Sequence, residues 1–202
     1  ADNSLVWPIA DMGALLAGAV SVGLYPTSSA EQVAEVLRDC GARVLIVDDA
    51  TQLAKVQKVR DQLESIETIV GWGDVGAPAT LWAEWMAAAR EFAPVHAEPD
   101  DDAVLIYTSG STGVPKGARI SHRCLVETAR SITQVLGLTP DDTSLSFLPF
   151  CHAAERMFGH AARIWVGMEA MLVDDVARVF EAAAAYHPTL FGGLPRFFEK
   201  AH

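Results

Sequence analysis

Leu105-Ile106-Tyr107-Thr108-Ser109-Gly110-Ser111-Thr112-Gly113-Val114-Pro115-Lys116-Gly117 stands near the middle of a 202-residue chain. The apolar run from Ala103 to Tyr107 predicts a strand, and a Gly/Ser/Thr-rich loop follows it as far as Gly117. Ser121 then predicts the cap of a helix through Leu136, with Gly137 as its stop. A loop that leaves a strand and enters a helix lies at the carboxyl edge of a sheet, where α/β proteins take their ligands. Gly110, Gly113 and Gly117 let the backbone curl so that its N–H groups converge into an anion nest. The hydroxyls of Thr108, Ser109, Ser111 and Thr112 add short donors, and Lys116 carries the loop's positive charge. That combination suits a polyphosphate. It is not a Walker A loop, because Lys116 precedes Gly117 and Ala118 follows. Nor is it a dinucleotide fingerprint, since the glycine gaps are two and then three residues. A flexible surface loop is the plain alternative.

Outward from this loop the chain alternates strand and helix. Val20–Tyr25 reads as a strand closed by Pro26. Ser28 or Ser29 caps a helix over Ala30–Cys40, which Gly41 stops. Val44–Val47 is all apolar, the mark of a strand covered on both faces. Thr51–Ile66 carries Leu53, Val56, Val59 and Leu63 at helical spacing, and Thr68–Val70 is a further strand. Thr80 is expected to cap a helix over Leu81–Phe92, in which Trp82 and Trp85 pack into the core. Beyond the central loop, strands are expected at Ser144–Leu148, Ala170–Val173 and Thr189–Phe191. Helices are expected at Ala153–Val166, at Asp175–Tyr186 under an Asp174 cap, and from Pro195 onward. Such repetition implies an α/β fold of parallel sheets covered by helices. The acidic, Pro-bearing stretch 93–102 is the best internal boundary, separating 1–92 from 103–202.

Composition narrows the function classes. Half of the residues are apolar, enough for a sizeable core, and a fifth are charged. The net charge of −11 argues against a broad nucleic-acid or anionic-membrane surface. A nucleotide needs only one local pocket and is not excluded. Cys40, Cys124 and Cys151 are far apart and odd in number, which suits a reducing, cytoplasmic setting and offers no disulfide framework. The apolar run Met12–Pro26 is shorter than the ~20 residues of a spanning helix and reads as a buried helix entering a strand. Both ends read as cut, so the chain is expected to be an excerpt of a longer protein.

The thirteen residues quoted at the outset closely resemble the signature loop of the adenylate-forming superfamily: acyl-CoA synthetases, luciferases and peptide-synthetase adenylation domains. Three other stretches are similar to long-chain fatty acyl-CoA synthetases: Leu24 to Gln32, Leu145 to Met157, and Pro188 to Lys200. The resemblance thus runs over nearly the whole chain, in order, and implies a partial N-terminal AMP-binding domain. It implies that Thr108, Ser109, Gly110, Ser111, Thr112, Gly113 and Lys116 hold the β- and γ-phosphates of ATP while a carboxylate attacks the α-phosphate. Mg²⁺ would bridge the phosphates, and coenzyme A would take the acyl group. In the resembling enzymes an aromatic residue or His beside the substrate carboxylate and acyl pocket maps to His152, and the stretch lining the acyl and nucleotide pocket maps to Gly192 and Gly193. His152 could instead cap the helix after it, and the two glycines could be a simple strand–helix turn.

Glu155 and Arg156 are expected as a surface pair without a catalytic role. Cys151 is not expected to be a nucleophile served by His152, since adjacent side chains usually point apart. The spacing of His152, Glu155 and His160 does not match a zinc site. The implied function is ATP-dependent activation of a fatty acid through an acyl adenylate to acyl-CoA. Two rivals stand beside it: an inactive nucleotide-binding or interaction module, and an acyl-AMP ligase that loads a carrier protein. The family's Glu near Mg²⁺, its ribose-binding Asp and its C-terminal catalytic Lys have no place in these residues, so the excerpt alone is expected to be inactive.

Overall fold

The computed structural model describes residues 3–73, 75–109, 115–193 and 195–199. Helix α1 (Val6–Leu16) leads into the short strand β1 (Ser21–Val22). Helix α2 spans Ala30–Cys40, the expected range. Ser29 Oγ accepts from Gln32 N–H, the Gln32 side chain accepts from Ser29 N–H, and Gly41 ends the helix at φ 61°. This reciprocal capping satisfies two backbone donors, and the left-handed turn is open to glycine without a Cβ penalty. Strand β2 (Val44–Val47), helix α3 (Ala50–Lys58) and strand β3 (Thr68–Gly71) follow. The predicted helix over 51–66 ends early because Arg60–Gln62 tightens into a 3₁₀ turn.

Strands β2 and β3 pair in parallel, and β4 (Thr80–Leu81) extends that sheet beyond β3. The expected Thr80 cap is therefore wrong: Thr80 is a strand residue, and α4 covers only Trp82–Ala87. Trp82 and Trp85 are not core residues either. Their rings lie 5.5 Å apart, Trp72 meets Trp82 at 5.8 Å, and Trp85 is 37% exposed.

A second sheet runs β1–β5–β6 and spans the 93–102 boundary, because β1 pairs in parallel with β5 (Asp102–Ser109). Strand β6 (Pro115–Ser121) lies antiparallel to β5 and was not expected from the sequence. The fold is thus α/β with mainly parallel pairing, and the one antiparallel pair among the described strands flanks the central loop. Ser121 caps α5 (His122–Leu136) through Cys124 N–H, and Gly137 closes it, as the sequence predicts. Strands β7 (Thr143–Ser146) and β8 (Glu169–Leu172) form a third parallel pair. Thr189–Phe191 does not complete a strand: only Leu190 bridges to Ser144. Between β7 and β8 the predicted single helix is two pieces, a π-helix over Ala154–His160 and α6 (Ala161–Val166). A 3₁₀ turn at Val176–Arg178 precedes α7 (Val179–Tyr186), and α8 covers Pro195–Glu199.

Packing follows the layers. Val33, Ala34 and Leu37 of α2, Leu53 and Val56 of α3, Leu45 and Val47 of β2 and Ile69 of β3 make one core. Ala103, Val104 and Ile106 of β5 make another with Leu15, Leu125, Ala153 and Met157. Leu37 is 2% exposed in the first core. Its truncation removes buried methyls and leaves a cavity, which costs ~2–5 kcal/mol. Leu37→Ala should lower the urea midpoint by that amount with an unchanged denaturant slope, whereas a loss below 0.5 kcal/mol, roughly a surface-substitution effect, would show that this helix does not carry the core.

Candidate functional site

Side chains on successive strand residues alternate between faces, and directly opposed residues of an antiparallel pair share a face. In the β5–β6 ladder Thr108 faces Lys116, Tyr107 faces Gly117 and Ser109 faces Pro115. Thr108 and Lys116 therefore project from one side, and both are exposed. Val104 and Ile106 lie on that same side and belong to the core cluster that also takes in Leu15, Leu125, Ala153 and Met157. Ala153, next to His152, thus shares a core cluster with β5. Gly110, Ser111, Thr112 and Gly113 lie outside the described residues.

His152 is half-buried in the turn before the π-helix. Its N–H donates to Pro149 O at 2.8 Å, and its Nδ1 accepts from Ala154 N–H at 3.1 Å. The accepting Nδ1 places the proton of the neutral ring on Nε2. Nδ1 thus accepts from the backbone of the first π-helical residue, which leaves Nε2 as the ring's donor. Gly192 is exposed and Gly193 half-buried, both outside any helix or strand. Neighbouring Phe191 stacks on Phe147 at 5.9 Å, which ties this stretch to the strand that leads to His152.

Glu155 and Arg156 overturn their expectation. Neither is on the surface: they are 4% and 2% exposed. Glu155 Oε1 accepts from Ser146 Oγ at 2.6 Å and from the Arg163 guanidinium. Arg163 also donates to Ser144 Oγ and to Leu145 O, each at 2.9 Å. Arg156 turns the other way. It pairs with Asp11 of α1 and lies over the Trp7 ring at 4.7 Å. Trp7 stacks on Phe150 at 5.0 Å, and His160 meets Phe150 edge-on at 5.5 Å while its Nε2 sits 3.5 Å from Asp11 Oδ2. Burial pulls the Arg156 pKa down and the Asp11 charge opposes that shift. Two adjacent residues thus clamp the π-helix from opposite sides, one to β7 and one to α1. Cys151 is buried, and burial pushes its thiol up to about 11, so it holds little thiolate at neutral pH.

Beside this clamp lies a cavity of about 380 Å³ between α1, α5 and α6. Leu15, Leu16, Leu125, Val126, Ile164 and Trp165 supply apolar walls, and Asp11, Arg156 and His160 its polar edge. None of the described site candidates lines it. Sequence reasoning missed this group because its members are far apart in the chain; the Glu155-Arg156 pair inside an apolar segment was the available signal.

The chain belongs to the AMP-binding enzyme family, whose profile matches residues 1–201. A long-chain-fatty-acid–CoA ligase from Xenopus laevis, ACSBG2, is 31% identical over 98% of this chain and 29% of its own length. FadD15 of Mycobacterium bovis, also named a long-chain-fatty-acid–CoA ligase, is 35% identical over 97% of the chain and 34% of its own length. The chain thus spans about a third of the length of the curated relatives it matches. Among solved structures it superposes on the anthranilate CoA ligase AuaEII in complex with anthranoyl-AMP with a TM-score of 0.89, at 25% identity over 98% of this chain and 38% of that one. Mycobacterium smegmatis MbtA gives a TM-score of 0.88 at 26% identity, over 97% of this chain and 38% of its own.

Breaking a buried ion pair leaves one charge unpaired and costs ~3–5 kcal/mol, while replacing both partners with apolar groups is far milder. Asp11→Leu and Arg156→Met should each destabilise the chain by about that amount, and the double variant should recover most of the loss. Chemical denaturation checks this; additive losses would mean that the two groups do not act as a pair.

Proposed function

We propose that this chain is the phosphate-binding part of a ligase that activates a fatty acid with ATP. The carboxylate attacks the α-phosphate, giving acyl adenylate and pyrophosphate, and the coenzyme A thiol then displaces AMP to give acyl-CoA. The observation that carries this reading is the β5–β6 hairpin, which sets Thr108 and Lys116 on one face at either side of residues 110–114. In this reading Lys116 meets the β- and γ-phosphates, where a fixed cation offsets the charge shifted onto departing pyrophosphate. Thr108, Ser109, Ser111 and Thr112 give hydroxyl donors, and Gly110 and Gly113 open backbone N–H groups to the same oxygens. His152 offers its Nε2–H to the acid's carboxylate, and Gly192 and Gly193 let the backbone come close to acyl chain and nucleotide.

The choice of a fatty acid is supported by the names of the sequence relatives. The apolar cavity beside the π-helix is large enough to take part of an alkyl chain. Mg²⁺, when bound with ATP, would offset charge on the phosphates. Among the described residues no three His, Cys, Asp or Glu side chains come together to hold a metal ion. No step here is routed through the ion. No helix among the described residues is long and apolar enough to cross a membrane. The reading places the reaction in the cytoplasm, with or without attachment to a membrane surface. The groups that would hold the ribose, face Mg²⁺ and supply the catalytic Lys would come from beyond this segment.

A hydrogen bond to a charged group is worth ~1.5–3 kcal/mol, so Lys116→Ala in the whole ligase should slow adenylation by about 10- to 100-fold. Pyrophosphate carries away the phosphates that Lys116 holds, so thioester formation from synthetic acyl adenylate and coenzyme A should barely change. ATP–pyrophosphate exchange and thioester assays check the two halves separately. Equal losses in both would contradict this role for Lys116.

A further inference from the structure

The geometry points to Tyr107 and Asp39 as a pair of positioning residues that hold the phosphate hairpin in its binding-competent shape. The inference rests on the ATP-dependent reading above.

Tyr107 lies on the face of β5 opposite Thr108, and it is 7% exposed. Its hydroxyl donates to Asp39 Oδ2 on α2. Burial, and then this hydrogen bond to a carboxylate, both raise the Tyr107 pKa, so the phenol stays protonated and remains the donor. The ring covers Gly117, its partner on β6. A Cβ at Gly117 would come within 2.9 Å of Tyr107 Cζ and 3.1 Å of its Oη. The glycine is required there by close approach of the ring.

The position of Asp39 supports the same view. It sits in the last turn of α2, one residue before Cys40, where a negative charge opposes the helix dipole. The basic group in that turn is Arg38. A carboxylate in this unfavourable place accepts the hydroxyl of Tyr107. The link joins α2, whose other face is the core of the β2–β3 layer, to the two strands that flank residues 110–114. Tyr107 and Lys116 are separated by one ladder step, so a tilt at the ring is passed directly to Thr108 and Lys116.

Loosening such an anchor lowers the fraction of molecules in the competent shape without removing any group that touches the phosphates. Apparent affinity falls by that fraction while the bound complex reacts as before. In the whole ligase, Tyr107→Phe and Asp39→Ala should each raise KM for ATP in pyrophosphate exchange about tenfold and leave kcat within about twofold. Asp39→Asn keeps an acceptor oxygen and should restore most of the wild-type KM. Asp39→Ala placed in the Tyr107→Phe background should add nothing further. Thioester formation from acyl adenylate should be unaffected in all of them. Additive losses, or equal losses in both half-reactions, would overturn the inference. If the wild-type ligase shows no acid-dependent exchange, the functional reading fails, and amide hydrogen exchange then decides the anchor by itself. Faster exchange over 105–109 and 115–119 in Tyr107→Phe supports it; unchanged exchange in those strands overturns it.

Discussion

The antiparallel ladder between β5 and β6 is the constraint on which the rest of this site depends. Seven residue pairs run from Asp102–Ser121 to Ser109–Pro115, and they leave residues 110–114 as the connection at the free end. Along the ladder, alternation sorts the paired residues: Thr108 and Lys116 to one face, Tyr107 and Gly117 to the other. β5 shares a core cluster with Ala153 and Met157, and through Tyr107 it is tied to α2.

The π-helix segment is held by electrostatics as much as by packing. A π-helix is seldom favoured on its own, and one in a functional region needs support from outside. Here Glu155 and Arg156 provide it in opposite directions, toward Arg163 and Ser146 and toward Asp11. Each buried charge has a partner, so the burial penalty is met within the clamp. Trp7 and Phe150 complete it with stacked rings. The result fixes the turn at Pro149–His152, where His152 Nδ1 accepts from Ala154 N–H.

Much of this was legible in local patterns. Ser29, Gln32 and Gly41 bound α2 to the residue, and Ser121 and Gly137 do the same for α5, because capping chemistry is local. The Val44–Val47 strand was legible from its apolar run, although its cover on both faces was not borne out: Leu45 and Val47 are buried while Val44 is exposed. Strand β6 was not. Lys116-Gly117-Ala118-Arg119 has no alternation of its own, and it is extended because β5 offers it a ladder. Residues 80–92 misled because Thr80 is a good cap by type, yet its backbone is used by β3. The buried pairs were hidden by separation: Asp11 and Arg156 are 145 positions apart, and Asp39 and Tyr107 are 68. A charged pair in an apolar segment reads as surface unless its distant partner is known. Of the proposed site, the loop and its flanking Thr108 and Lys116 were legible as a motif, whereas the face they share was not.

The central claim is that this hairpin receives the terminal phosphates of ATP. Photolabelling of the whole protein tests it most directly, using ATP with a photoreactive group on its γ-phosphate, followed by peptide mapping. The account predicts labels concentrated in residues 105–123, suppressed by excess ATP and reduced in a Lys116→Ala variant. Labels that ATP suppresses but that fall wholly outside this stretch would contradict it.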